Sequence, residues 1–110
     1  MITLVNTFRV YGEDTDEFER LFSDTAAFLR QQQGFRGYQL VRSNVEPKTY
    51  FNIGTWATLN DMQAALTLPE MHEHHAKIGK IAEADPQPCK TVEMVSVDAF
   101  TGEMVHHKSR

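Results

Sequence analysis

Residues 35–57 read FRGYQLVRSNVEPKTYFNIGTWA, and their pattern decides the fold. Residues 35–43 and 48–57 read as two strands, and Asn44-Val45-Glu46-Pro47 between them has the composition of a hairpin turn. Upstream, residues 2–11 (ITLVNTFRVY) alternate as a third strand, with Ile2, Leu4, Asn6, Phe8 and Val10 on one face. Between that strand and the hairpin, Phe18, Leu21, Phe22, Thr25, Phe28 and Leu29 recur at helical spacing. This helix is expected to open with Asp14 and Glu17 as a capping box, to run to about Gln33 and to stop at Gly34.

Downstream of the hairpin, Thr58 is expected to cap a second helical region with Leu59, Met62 and Leu66 on its apolar side. Pro69 breaks it, and it restarts with Met71, His75, Ile78 and Ala82 on one side. Asp85-Pro86-Gln87-Pro88 reads as a proline-marked loop, and residues 89–97 (CKTVEMVSV) as the last strand. The order β-α-β-β-α-β over residues 1–97 is an α+β, ferredoxin-like split βαββαβ pattern. Its expected form is one antiparallel sheet with helices on one face. Residues 98–110 are left as a C-terminal tail or an arm on a partner subunit.

Composition narrows the classes of function. The chain has 110 residues and a net charge of −4, with 41% hydrophobic and 24% charged residues. That describes one globular domain, without the Lys/Arg stripe of a nucleic-acid-binding module. No apolar run reaches the roughly 18 residues a membrane span needs. The start, Met-Ile-Thr-Leu-Val-Asn, lacks the basic region of a signal peptide. A lone cysteine, Cys89, excludes an intramolecular disulfide and a Cys-based zinc site, and a cytoplasmic location is expected.

Asn6 is the first candidate for chemistry, because it interrupts an apolar strand face. A buried amide without partners costs about 1–3 kcal/mol, so it serves either a ligand, a backbone bulge or an interface. Asn52, Gly54 and Trp56 share a face at period two, which offers an amide, a notch and a flat indole to an aromatic ligand. The competing reading makes Trp56 a core anchor and Gly54 a bulge. The face with Asn6, Asn52 and Trp56 also carries Leu4, Phe8 and Tyr50. It reads as the side the helices leave uncovered, so a second subunit is expected against it or its edge. The two amides and the indole are expected to line one hollow beneath the second helical region.

All five histidines follow residue 71. His72-Glu73-His74-His75 is not H-E-x-x-H, because position 76 is Ala, and no carboxylate supplies a third ligand to His72 and His75. No metal is therefore assigned. His75 shares its side with Met71, Ile78 and Ala82 and is expected to point inward as a base, an anchor or an axial ligand, or as a satisfied core histidine. His74 is expected to face solvent, His72 to lie at the rim, and His106 and His107 to belong to the tail. Ser23, Ser43, Ser96 and Ser109 have no triad context, and Cys89, just after Pro88 at a strand start, has no sequence neighbour that argues for a reactive thiol.

Over residues 2–97 the chain resembles the antibiotic biosynthesis monooxygenase family of dimeric ferredoxin-like domains. The resemblance rests on Val5-Asn6-Thr7-Phe8-Arg9-Val10, on Gln33-Gly34-Phe35-Arg36-Gly37, on Asn52 and Trp56 ending strand three, and on Pro69-Glu70-Met71-His72-Glu73-His74-His75. It implies a homodimeric α/β barrel. Asn6, Asn52 and Trp56 resemble the pocket residues of cofactor-independent anthrone oxygenases, which use O2 to convert a small aromatic polyphenol to a quinone without metal, flavin or haem. On that resemblance Asn6, Asn52, Trp56 and His75 are the expected catalytic set, and Phe8, Tyr50, Met62, Met71 and His72 the expected substrate contacts. Met62 and Ala76-Lys77 stand where some members place Tyr and Arg, which leaves the substrate and the proton donor open. A haem-degrading branch shares an Asn on strand one and a His on the second helix, matched by Asn6 and His75. Its helical Trp is missing here, where Gln63-Ala64-Ala65 stands. Haem is thus the alternative cofactor, and a non-catalytic dimeric ligand-binding domain the rival class.

Overall fold

A computed structural model describes residues 1–97 and 102–108. Four strands form one antiparallel sheet in the order β2-β3-β1-β4: β1 (Ile2–Val10), β2 (Phe35–Arg42), β3 (Thr49–Trp56) and β4 (Ala82–Lys90). Helices α1 (Thr15–Leu29), α2 (Leu59–Leu66) and α3 (Pro69–Gly79) connect them. β3 lies between β1 and β2, which is the split βαβ arrangement read from the sequence.

Local chemistry accounts for most of these boundaries. Ser43 Oγ accepts from the amides of Val45 and Glu46, which folds the β2–β3 turn. Thr58 Oγ1 accepts from Asp61 N at 3.0 Å and caps α2 as expected. Pro69 occupies the first turn of α3, where its missing N–H costs nothing. The capping box of α1 is not formed. Asp14 makes no side-chain cap bond, and Glu17 instead accepts from Arg20 one turn on. α1 also ends earlier than expected, at Leu29, with Gln31 and Gln32 in turn-like bonds before Gly34 at φ +84°.

The fourth strand departs furthest from expectation. It spans the stretch read as a loop, while the run read as the last strand divides between its end and a separate strand, β5 (Glu93–Val97). β4 is an edge strand, and an edge tolerates proline because only alternate N–H groups face the neighbour. Pro86 and Pro88 sit two apart, opposite Asn6 and Leu4.

The face assignment is also reversed. Leu4, Phe8, Val10, Tyr50, Asn52 and Trp56 are buried beneath the helices. One core cluster gathers Phe8, Phe18, Phe22, Tyr50 and Ile78; a second gathers Leu4, Trp56, Met62 and Ala65. The uncovered face carries Val5, Val41, Phe51 and Ile53 with Thr3, Thr7 and Thr55. Period two shows which residues share a face, but both faces here are apolar enough to be taken for the core.

β5 pairs with β6 (Met104–Lys108) as a separate two-stranded sheet. Part of the residue range left as a tail is therefore a strand; residues 98–101 and 109–110 lie outside the described residues. Met94, Val95, Val97, Met104 and Val105 stand exposed on this pair of strands, and Val92 is exposed just before it. The accessible surface is 7392 Å², above the about 6,200 Å² expected of a compact chain of this mass, as an open sheet face and a projecting hairpin require.

A Cβ at Gly34 would overlap the Asp61 side chain, and the positive φ disfavours any L side chain. Gly34→Ala is expected to destabilise the fold by about 3 kcal/mol in urea unfolding followed by Trp56 fluorescence.

Candidate active site

Between the two core clusters the sheet and helices leave a cavity of about 300 Å³. That is the lower end of the usual range for small-molecule sites, roughly 300–1,000 Å³. Leu4, Asn6 and Phe8 of β1 and Asn52 of β3 form its floor. Phe22, Thr25 and Leu29 of α1, with Leu66 of α2, wall one side. Met71, His75, Ile78 and Gly79 of α3 wall the other, and Ala82, Ala84 and Pro86 of β4 close the edge. The surroundings are almost wholly apolar, and Thr25 adds little polarity because its hydroxyl donates to Leu21 O at 2.9 Å.

The register explains the floor. Asn6 pairs directly with Asn52 across the β1–β3 ladder, so the two carboxamides lie side by side on the helix-covered face. Neither Oδ1 has a hydrogen-bond partner, and both are shielded from water. Asn52 is 8% exposed. Buried amide oxygens are normally satisfied, so this adjacent pair has bonding capacity that a water or a ligand group can fill.

Among the described residues, His75 is the only ionisable side chain in the cavity wall. Its outer side is open, and its pKa is held below the ordinary 6.5, chiefly by burial and further by the neighbouring His72 and His74. It is therefore a neutral imidazole at neutral pH, able to accept a proton. His74 does not simply face solvent: it is half-buried with its ring 5.7 Å from Phe28. His106 lies on β6, 2.8 Å from Glu93 Oε2.

Asn6, Asn52, His75, Phe8 and Met71 thus line one cavity. Trp56, Tyr50, Met62 and His72 do not line this cavity. Trp56 is 1% exposed and packs in the second core cluster, its ring edge-on to Phe35 at 5.2 Å. Met62 is buried beside it. Tyr50 lies in the first cluster; its hydroxyl donates to Glu19 at 2.6 Å, and burial together with that bond pushes its pKa up to about 12. His72 is exposed on α3. The sequence reading missed the walls from α1 and β4. The pattern Ala82, Ala84, Pro86 is a period-two signal of small residues that leaves space, hidden by the prolines. Among the described residues no three His, Cys, Asp or Glu side chains gather as metal ligands.

Residues 1–77 match the sequence profile of the family described as antibiotic biosynthesis monooxygenase, and the chain belongs to that family. Deoxynogalonate monooxygenase of Streptomyces nogalater is 32% identical over 84 residues, covering 76% of this chain and 70% of that protein. The crystal structure of SnoaB, a cofactor-independent oxygenase from Streptomyces nogalater, matches with a TM-score of 0.77 at 30% identity, over 82% of this chain and 91% of that one. A family protein of Deinococcus radiodurans, at 17% identity and a TM-score of 0.77, covers 90% of this chain and shares its fold.

The lowered pKa of His75 has two readable consequences. By NMR titration its imidazole is expected to protonate below 6.5, and His72→Asn to raise that value in part, since burial is the larger cause. Because the folded form binds this proton less readily than the unfolded chain, the stability contribution is full above pH 6.5. It declines as pH falls from there through the folded value, as pH-dependent urea midpoints would show.

Proposed function

We propose that this protein is a cofactor-independent oxygenase that converts an anthrone-type polyphenol to a quinone with O2 and acts as a homodimer. The carrying observation is the adjacent pair of carboxamides with unpartnered oxygens on the floor of an apolar cavity whose one ionisable group is a neutral histidine. Similarity to SnoaB and to deoxynogalonate monooxygenase supports this reading.

The chemistry needs little more than these groups. The CH2 of an anthrone is acidic because its carbanion is delocalised onto the ring ketone. His75 accepts one CH2 proton. The amide N–H groups of Asn6 and Asn52 donate to the ketone oxygen, where the charge collects. The anion passes one electron to O2, and the organic radical and superoxide combine to form a C–O bond. The proton on His75 returns to the peroxide oxygen. Loss of the second C–H proton and cleavage of the O–O bond then release water and leave a carbonyl. The sum is CH2 + O2 → C=O + H2O. The apolar walls keep bulk water from the radical pair. Trp56, packed with the wall residue Leu4, acts as a positioning residue.

The sheet face opposite the helices supports the homodimer, since among the described residues it leaves Val5, Val41 and Phe51 only half-buried and Ile53 exposed. A second copy applied there would bury them and extend to the exposed apolar hairpin.

With 1,8-dihydroxyanthrone in air, the protein treated with a chelator is expected to form quinone with one O2 consumed per product. Asn52→Ala and His75→Ala are each expected to lower kcat about 100-fold. Unchanged rates in Asn6→Ala, Asn52→Ala and His75→Ala would remove this site. A Soret shift on adding haem, lost in His75→Ala, would favour the haem reading instead. Light scattering is expected to give twice 12.6 kDa, and Ile53→Asp to yield monomer.

A further inference from the structure

We infer that Gly79 is a specificity-determining residue: its missing side chain keeps open a slot between α3 and β4, through which a substituent on the CH2 edge of the substrate leaves the cavity. This rests on the oxygenase reading above for the ring system and its orientation; the slot itself comes from the walls.

Among the described residues, the cavity wall is exposed at His75 and Gly79 of α3 and at Ala84 and Pro86 of β4, and is buried or half-buried elsewhere. The mouth therefore lies between the second half of α3 and the edge strand. Its strand lip is built from small, flat side chains, and Pro86 stands opposite Asn6 in the ladder, so the mouth leads directly to the amides.

Gly79 is the last residue of α3. A glycine that ends a helix commonly does so at a positive φ, and Gly79 has none. Close packing does not require glycine either, since a Cβ there would meet nothing within 4 Å. What a side chain at 79 would do is cover the base. His75 and Gly79 are four residues apart and share a helix face, and a helical side chain leans toward the amino end, over the preceding turn. A residue larger than alanine at this position would lean across the mouth beside His75.

The proposed reaction orients the ring system in this space. Its ketone oxygen lies at Asn6 and Asn52 and its CH2 at His75, so the CH2 edge faces the slot. Substituents at ring positions 3 and 6 belong to that edge and emerge into solvent. Those at positions 2 and 7 belong to the ketone edge and run toward the closed end, where Phe8 and Phe22 are buried. A cavity of about 300 Å³ has little space for a chain beside three rings, so position decides which substituents are accepted. A group that ends outside keeps its water, and the slot thus sorts substrates by the place and size of a substituent and not by its charge.

The test is anaerobic titration of the intact protein, read by quenching of its single tryptophan, with 1,8-dihydroxyanthrone and its 2-butyl and 3-butyl derivatives. The two isomers have the same composition, so a difference between them reports shape alone. The 3-butyl isomer is expected to bind within about fivefold of the parent and about 30-fold more tightly than the 2-butyl isomer. Gly79→Leu is expected to weaken the 3-butyl isomer about 10-fold more than it weakens the parent, with Gly79→Ala between it and the wild type. Ala84→Leu, on the opposite lip, is expected to act in the same direction, and circular dichroism checks that each variant folds. Equal binding of the two isomers, a 3-butyl-to-parent ratio unmoved in both leucine variants, or no binding by any probe overturns the inference. Equal binding of the isomers with quinone still formed in air would leave the oxygenase reading standing without the slot. Selective binding of the 3-butyl isomer without quinone would leave the slot and remove the oxygenase reading.

Discussion

Asn6 and Asn52 face each other across the β1–β3 ladder, and the rest of the site follows from that pairing. An amide is close to leucine in size but cannot be packed against methyl groups without losing its water. Two side by side therefore divide the core. Leu4 and Trp56 gather Met62 and Ala65 on one side, and Phe8 and Tyr50 gather Phe18 and Phe22 on the other. The space between is the cavity. A slip of one residue in the ladder would turn both amides to the open face and bring Val5 and Ile53 beneath the helices. The large aromatics on either side of the amides hold the register, since a slip would expose Phe8, Tyr50 and Trp56 together.

Helix lengths complete the enclosure. If α1 ran on to Gln33, or if α2 and α3 formed one rod, side chains from the extra turns would fill the space above the amides. Pro69 prevents the second case by removing an N–H from the interior of such a rod. The first case does not arise because α1 ends at Leu29, and Gln31 and Gln32 make turn-like bonds to Phe28 O and Leu29 O before Gly34. The same breaks place three helix carboxyl ends around the cavity, so its electrostatic character is a consequence of how the core is kept open.

Much of this was legible in the sequence. The order of elements, the turn at Asn44–Pro47, the cap at Thr58 and the break at Pro69 depend on local chemistry, which a sequence displays directly. The sharing of a face by Asn6 and Asn52 follows from period two. What failed needed information about neighbours. Prolines at 86 and 88 look like a loop until β4 is known to be an edge. The burial of one sheet face rather than the other depends on where the helices dock, and Val5, Val41, Phe51 and Ile53 make the open face nearly as apolar as the core. Trp56 shares its face with the amides, but it lies four residues beyond Asn52 along β3, far enough to fall in the other core cluster.

An electronegative cavity looks poorly suited to a reaction that passes through a carbanion, and the placement of His75 resolves the difficulty. In the proposed reaction the proton that leaves carbon does not leave the site; it moves to an imidazole four residues before the end of α3. A helix carboxyl end favours cations close to it, so the field at the end of α3, where Lys77 occupies the last turn, leans toward the imidazolium one turn earlier. Burial and the neighbouring histidines pull the other way, which keeps the imidazole neutral until a substrate proton is offered. The pair of imidazolium and carbanion carries no net charge, and the two amides hold the negative half.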